Sequence, residues 1–196
     1  MSDRDLEGNE PHMTTPSAPP ITEALRDQAR ANPGGWVYAI DPEFEGTANV
    51  PPEGIIGAWR SDVTGEINGR FTPNPKYVPS PPARGWPTPT TKLERVLQLA
   101  RAGHATGEQL EQEFASSEVL IFSRPEGGLF IVNGKNDTRL GYAFTDATKA
   151  AASGVSDMTT ITGRAYAEAL PEGVLIALNP GSEVPVIIDP ADILKV

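Results

Sequence analysis

The sequence predicts an α+β fold: a small antiparallel β-meander with one helix, a proline-rich strap, then a second unit in which helices pack on one mixed sheet. Three observations predict it. Short apolar strand-like runs bounded by turn residues crowd two regions, before residue 72 and after residue 117. Helix start signals interrupt the second group and precede the first. Between them, Thr72 to Thr90 carries seven prolines, which excludes both a helix and a central strand.

The boundaries follow from composition. Residues 1–20 are acidic, then rich in Ser, Thr and Pro, with almost nothing to bury, and read as a disordered tail. Residues 21–71 form the first unit, 72–90 the strap and 91–196 the second unit. In the first unit, Ile21 to Ala31 is a short helix, capped by Thr22, with Leu25 and Ala29 on one face and Asn32-Pro33-Gly34-Gly35 as its stop. The runs WVYAID, GIIGAWRSD and EINGRFTPN are three strands, with a turn at Asp62–Glu66 around Gly65. The two-residue period puts Trp36 and Tyr38 on one strand face, where they are expected to supply the small unit's core. The strap is an extended segment whose only large anchors are Tyr77 and Trp86, and docking is favoured because free aromatics invite non-specific association.

In the second unit, Thr91-Lys92-Leu93-Glu94 and Thr106-Gly107-Glu108-Gln109 are capping boxes opening two helices. Leu93, Val96, Leu97 and Ala100 share a face of the first, which Gly103 ends, and Leu110 and Phe114 are the buried pair of the second. EVLIFS is a strand, and LFIVNGKNDTRLGYAF is two strands about Asn133-Gly134. Thr145 is expected to cap an alanine-rich helix ending at Ala152; MTTIT is a strand and GRAYAEAL a helix. VLIALNPGSEVPVII is a strand, a turn and a last strand. The predicted order is ααβββαβαββ followed by a helical start.

The chemistry begins with a repeated string. Ile-Asp-Pro ends two apolar runs, at Asp41 and Asp189, and an aspartate at a strand end is a common catalytic position. The same string is also helix-start grammar: Asp as N-cap, Pro at the first helical position and an acid in the first turn. Capping accounts for every residue of the motif and catalysis only for the Asp, so capping is the reading taken. His12 lies in the tail and His104 just past a helix end, where an exposed imidazole is ordinary; no Gly-x-Ser-x-Gly elbow, dinucleotide fingerprint or Walker loop occurs. Glu108, Glu111 and Glu113 read as a solvated face rather than a metal site. Asn136-Asp137-Thr138 is formally a glycosylation sequon, without weight in a chain lacking a secretory signal.

With no cysteine among 196 residues, disulfides, thiol nucleophiles, zinc–thiolate sites and iron–sulfur clusters are excluded. A net charge of −10 argues against non-specific nucleic-acid binding, and no apolar run reaches the roughly 18 residues of a membrane span. A cytoplasmic setting, no catalytic residue, no metal and no cofactor are expected.

Two stretches carry a resemblance. NPGGWVYAIDPEF, VPPEGIIGAWRSDVTGEI and FTPNPKYVPSP resemble, in that order, the N-terminal module of actinobacterial proteins associated with type VII secretion. SSEVLIF, YAFTD, LPEGVLIALNPGSE and VPVIIDPADI resemble the SseB-like domain, named for enhanced serine sensitivity. Together they span about Asn32 to the C-terminus. The resemblance implies an accessory or protein-binding role and supplies no catalytic set. The expected function is a non-enzymatic adaptor or chaperone whose partner is a protein: a secretion component, a substrate or a toxin. Trp59, Arg60, Tyr77, Arg84 and Trp86 are the candidate contact residues. An immunity-type protein that neutralises a basic secreted toxin is the alternative. A carboxylate enzyme using Asp41, Asp62 or Asp189 comes third.

Overall fold

The computed structural model describes residues 17–123, 128–154 and 157–196. The expected tail therefore lies outside the described residues as far as Pro16, while Pro19 and Pro20 help to wall a groove described below. The fold is α+β, with two compact units, Met1–Tyr77 and Val78–Val196. The strap is divided between them: residues 72–77 belong to the first unit and 78–90 to the second.

In the first unit, α1 (Glu23–Ala31) begins where the Thr22 hydroxyl accepts the Leu25 N–H at 3.4 Å, and ends at Asn32. β1 (Trp36–Ile40), β2 (Ile55–Arg60) and β3 (Thr72–Pro73) form an antiparallel sheet in that order, with Trp36 opposite Arg60 and Tyr38 opposite Ala58. Ala29, Val37, Ala39, Ala58 and Trp59 are buried, and Phe71 packs on Trp59 with ring centroids 4.7 Å apart. The third strand is shorter than expected. Asp62 gathers the Thr64 and Glu66 N–H groups and the Asn68 amide around its carboxylate, which coils residues 62–68 into a loop that leaves only the Ser61–Ile67 bridge. Beyond it, Pro73 brings no N–H to a ladder. Asn74 ties the start of the strap down by donating to the carbonyls of Pro52 (2.6 Å) and Ile55 (2.7 Å).

The second unit follows the predicted order, closing with the expected helical start as a short helix. α2 (Lys92–Ala102) and α3 (Gly107–Ser116) precede β4 (Glu118–Phe122), β5 (Ile131–Asn133), β6 (Arg139–Phe144) and α4 (Ala147–Ala151). β7 (Met158–Thr162), α5 (Gly163–Ala169), β8 (Val174–Leu178), β9 (Val186–Ile188) and α6 (Pro190–Ile193) complete it. The mixed six-stranded sheet runs β7-β4-β6-β8-β9, with β5 also on β6; among the described strands β6 and β8 are the parallel pair. Leu93 and Leu97 of α2, Leu110 and Phe114 of α3, Tyr166 of α5 and Ile193 of α6 pack in one core with Val119, Ile121, Ala143, Ile176, Leu178 and Ile188 of the sheet. At Gly163 any Cβ would collide with the Phe114 carbonyl, so the α3–α5 approach requires glycine. Phe122, Phe144 and Ala150 make a second, smaller cluster with Leu120, Tyr142 and Met158. The turn expected at Asn133-Gly134 spans residues 134–138, with Asn136 and Asp137 left-handed, as these residue types tolerate best.

Two caps differ from expectation. Thr106–Gln109 is a full capping box, but Thr91–Glu94 is half of one. Thr91 caps α2, while the Glu94 carboxylate turns to the N–H and hydroxyl of Thr90. α4 is capped by Asp146, not Thr145: the Asp146 carboxylate accepts the N–H groups of Thr148 and Lys149, and Thr145 is engaged elsewhere.

Candidate functional site

The two Ile-Asp-Pro aspartates do what their grammar predicts. Asp189 Oδ1 accepts the Ala191 N–H at 2.9 Å and starts α6. Asp41 Oδ1 accepts the Glu43 N–H at 3.0 Å and starts a single 3-10 turn over residues 42–44. Asp41 is also fully buried, and its Oδ2 accepts the Tyr77 hydroxyl at 2.8 Å. Asp62 holds its own loop, which keeps its carboxyl below the usual range; the Thr64 hydroxyl is the largest cause, followed by the Glu66 N–H. Among the described residues, no group of three or more His, Asp or Glu is placed to hold a metal ion.

The five candidate contact residues are placed as follows. Trp59 is 3% exposed and packs inside the first unit. Arg60 is exposed, its guanidinium 5.4 Å above the ring of Trp36. Tyr77 anchors the strap to Asp41 in the first unit. Trp86 anchors the strap in the second, packed against its main core, with Arg84 5.4 Å from its ring. Arg84 Nε donates to Pro79 O (3.0 Å) and Gln98 Nε2 to Pro87 O (2.8 Å), and His104 Nε2 lies 3.1 Å from Val78 O. Prolines leave a segment rich in acceptors and poor in donors, and neighbouring side chains supply the donors. His104 is accordingly half-buried against the strap rather than the open imidazole expected.

Besides Trp59, whose burial leaves it no contact surface, sequence reasoning misplaced Trp36 and Tyr38. They share one face of β1, but that face points outward, leaving them 41% and 44% exposed, while Val37 and Ala39 are buried. The missed signal was size. A strand reading Trp-Val-Tyr-Ala-Ile can bury either alternate set, and a nine-residue helix whose one fully buried side chain is Ala29 is matched by the small set.

Beside this face lies a groove of about 490 Å³. Its apolar wall comes from Leu25 of α1, Tyr38 and Ile40 of β1, Ile56 of β2, and Phe44 and Val50 from the β1–β2 connection; Pro19 and Pro20 also border it. Phe44 owes its place to the Asp41-capped turn, and to Gly54, where a Cβ would strike its ring. Gln28 Oε1 accepts the Tyr38 N–H at 3.1 Å, so a side chain already occupies this donor of the β1 edge. Among the described residues, Glu45 is the one charged residue lining the groove.

In the second unit, the FTD and LNPGS strings lie side by side at the carboxyl ends of parallel strands β6 and β8. Asn179 is buried and left-handed at φ 51°. Its Oδ1 accepts the Thr145 N–H (2.9 Å), and its Nδ2 donates to the Thr145 hydroxyl (3.0 Å). Next to them Lys149 pairs with buried Glu94 (2.6 Å) and with Asp146 (2.9 Å). Burial alone would raise the Asp146 carboxyl, but the Lys149 side chain and N–H, together with the Thr90 hydroxyl, outweigh it and bring it down to about 2. These groups satisfy one another, and the arrangement is a lock between strand ends.

Among the described residues no helix is long and apolar enough to cross a membrane. No family model, curated protein or solved structure matches the chain.

Proposed function

We propose that the chain is a non-enzymatic interaction factor, an adaptor or chaperone for type VII secretion that works in the cytoplasm and binds a protein partner. The observation that carries the reading is the outward row Trp36, Arg60 and Tyr38 beside an apolar groove. Rigid aromatics and arginine are the side chains that anchor protein interfaces, and a domain this small gains by burying tryptophan and tyrosine unless they serve a surface. The secretion setting rests on the resemblance of the strings that build this unit. An enzyme has less support, because Asp41, Asp62 and Asp189 each accept backbone N–H groups of their own turn. A net charge of −10 also suits an immunity-type protein facing a basic toxin.

A photo-crosslinking amino acid placed at Tyr38, in cells that carry a type VII secretion locus, tests the proposal. A cross-link to a protein encoded at that locus, absent when the probe sits at the 88% exposed Val63, is the expected result. Capture of a toxin instead selects the immunity reading. Equal labelling from both positions, or none from either, rejects this face.

A further inference from the structure

We infer that the groove beside β1 receives a cationic, extended, proline-compatible peptide segment, which lays one large apolar side chain between Tyr38 and Phe44. This rests on the protein-binding reading above and names the chemistry of the partner.

Three features select that guest. The first is the wall: two aromatic rings and aliphatic side chains line a space large enough for one bulky side chain and the backbone on either side of it. The second is the strand edge. An arriving strand would need the Tyr38 N–H, and Gln28 already takes it. The guest is therefore held by side-chain packing rather than by a backbone ladder, the mode in which polyproline-type segments dock in aromatic-lined grooves. Pro19 and Pro20 already lie along the border, so pyrrolidine rings fit this surface.

The third feature is charge, and it decides among occupants. Among the described residues, the groove is lined by Glu45 and by no Lys or Arg. Glu45 is exposed and pairs with no cation among the described residues. The chain's own residues 1–16 carry Asp3, Asp5, Glu7 and Glu10 against Arg4 alone, so they share the groove's sign. A second copy brings a net charge of −10. Both are disfavoured, and a segment with Lys or Arg flanking its apolar anchor is favoured.

The test uses the full chain and two labelled synthetic nine-residue peptides, each with a central leucine between prolines, one with arginine flanks and one with glutamate flanks. Fluorescence anisotropy should show the arginine peptide binding, more weakly as salt rises, and the glutamate peptide binding at least about tenfold more weakly. Glu45→Lys should weaken the arginine peptide by about tenfold, and Tyr38→Ala should abolish binding of both, each variant retaining the wild-type circular dichroism. Equal affinity for the two peptides, or binding indifferent to Tyr38→Ala, overturns the inference. So does cross-linking of the Tyr38 probe to residues 1–16 or to a second copy, since the occupant is then the chain itself. If neither peptide binds while the Tyr38 probe still captures a protein of the secretion locus, the inferred chemistry falls and the protein-binding reading stands. If both experiments fail, both fall.

Discussion

Replacing Asn179 separates two energies at the lock between β6 and β8. The side chain is 1% exposed and supplies the acceptor for the buried Thr145 N–H at 2.9 Å and the donor to its hydroxyl at 3.0 Å. The backbone at Asn179 is left-handed, φ 51°, a conformation that costs an ordinary L-residue about 1–2 kcal/mol. Asn179→Ala loses both: the orphaned Thr145 N–H costs about 1–3 kcal/mol, so the sum is about 2–5 kcal/mol. Asn179→Gly escapes the backbone cost but loses the hydrogen bonds (about 1–3 kcal/mol) and adds about 0.5–1 kcal/mol of unfolded-chain entropy, so it should cost about 1.5–4 kcal/mol. The assay is urea unfolding followed by far-UV circular dichroism, with hydrogen exchange of the β6 and β8 amides to place the loss. The alanine variant should be the weaker by up to about 1.5 kcal/mol, with exchange accelerated at Ala143 to Thr145 in both. An alanine variant more stable than the glycine variant would refute the backbone cost, and a loss under about 0.5 kcal/mol in both would refute the lock.

Asp189→Asn should change stability by only a few tenths of a kcal/mol and Asp189→Ala by about 1, in urea titrations, because Asn caps as Asp does; loss of partner capture in Asp189→Asn with the fold intact would return this carboxylate to function. Trp86→Ala should cost about 1–3 kcal/mol, since the ring packs half-buried against the main core; unchanged melting would mean the strap is held without it. The Asp146 carboxyl falls from an ordinary 3.8 to about 2 in the fold, so its contribution is present above about pH 4 and is lost as pH falls toward 2. Discounted for its partial exposure, that contribution is about 1 kcal/mol, and acid titration of Lys149→Ala should show the window flattened.

Much of the fold was legible because its start and stop signals are local. Thr22, Thr106 and Asp189 cap where their sequence grammar puts them, since an N-cap depends on the three residues that follow it. Thr91–Glu94 and Thr145 went differently for a reason beyond local reach. Glu94 found Lys149, 55 residues away in sequence, and Thr145 found Asn179, 34 residues on. The strap's docking was legible from its aromatics, but its division between the units was not: Tyr77 and Trp86 look alike in sequence, and only the fold assigns one to Asp41 and the other to the core of the second unit. The candidate site was the least legible. Trp59 and Trp36 sit in similar apolar strands, and which of them faces water depends on which alternate set meets the other elements.

The groove has a consequence for the order of events during synthesis. Every residue that lines it lies between Pro19 and Ile56, within the unit that ends at Tyr77. Its strands β1 and β2 are joined by a 14-residue connection, whereas β6 and β8 of the second unit pair across an intervening helix, strand and helix. On a ribosome adding about 5–20 residues per second, residues 78–196 take roughly 6–24 s to appear. Through that interval the elements that wall the groove are already synthesised, so a partner of the kind proposed above would meet the nascent chain before the second sheet exists.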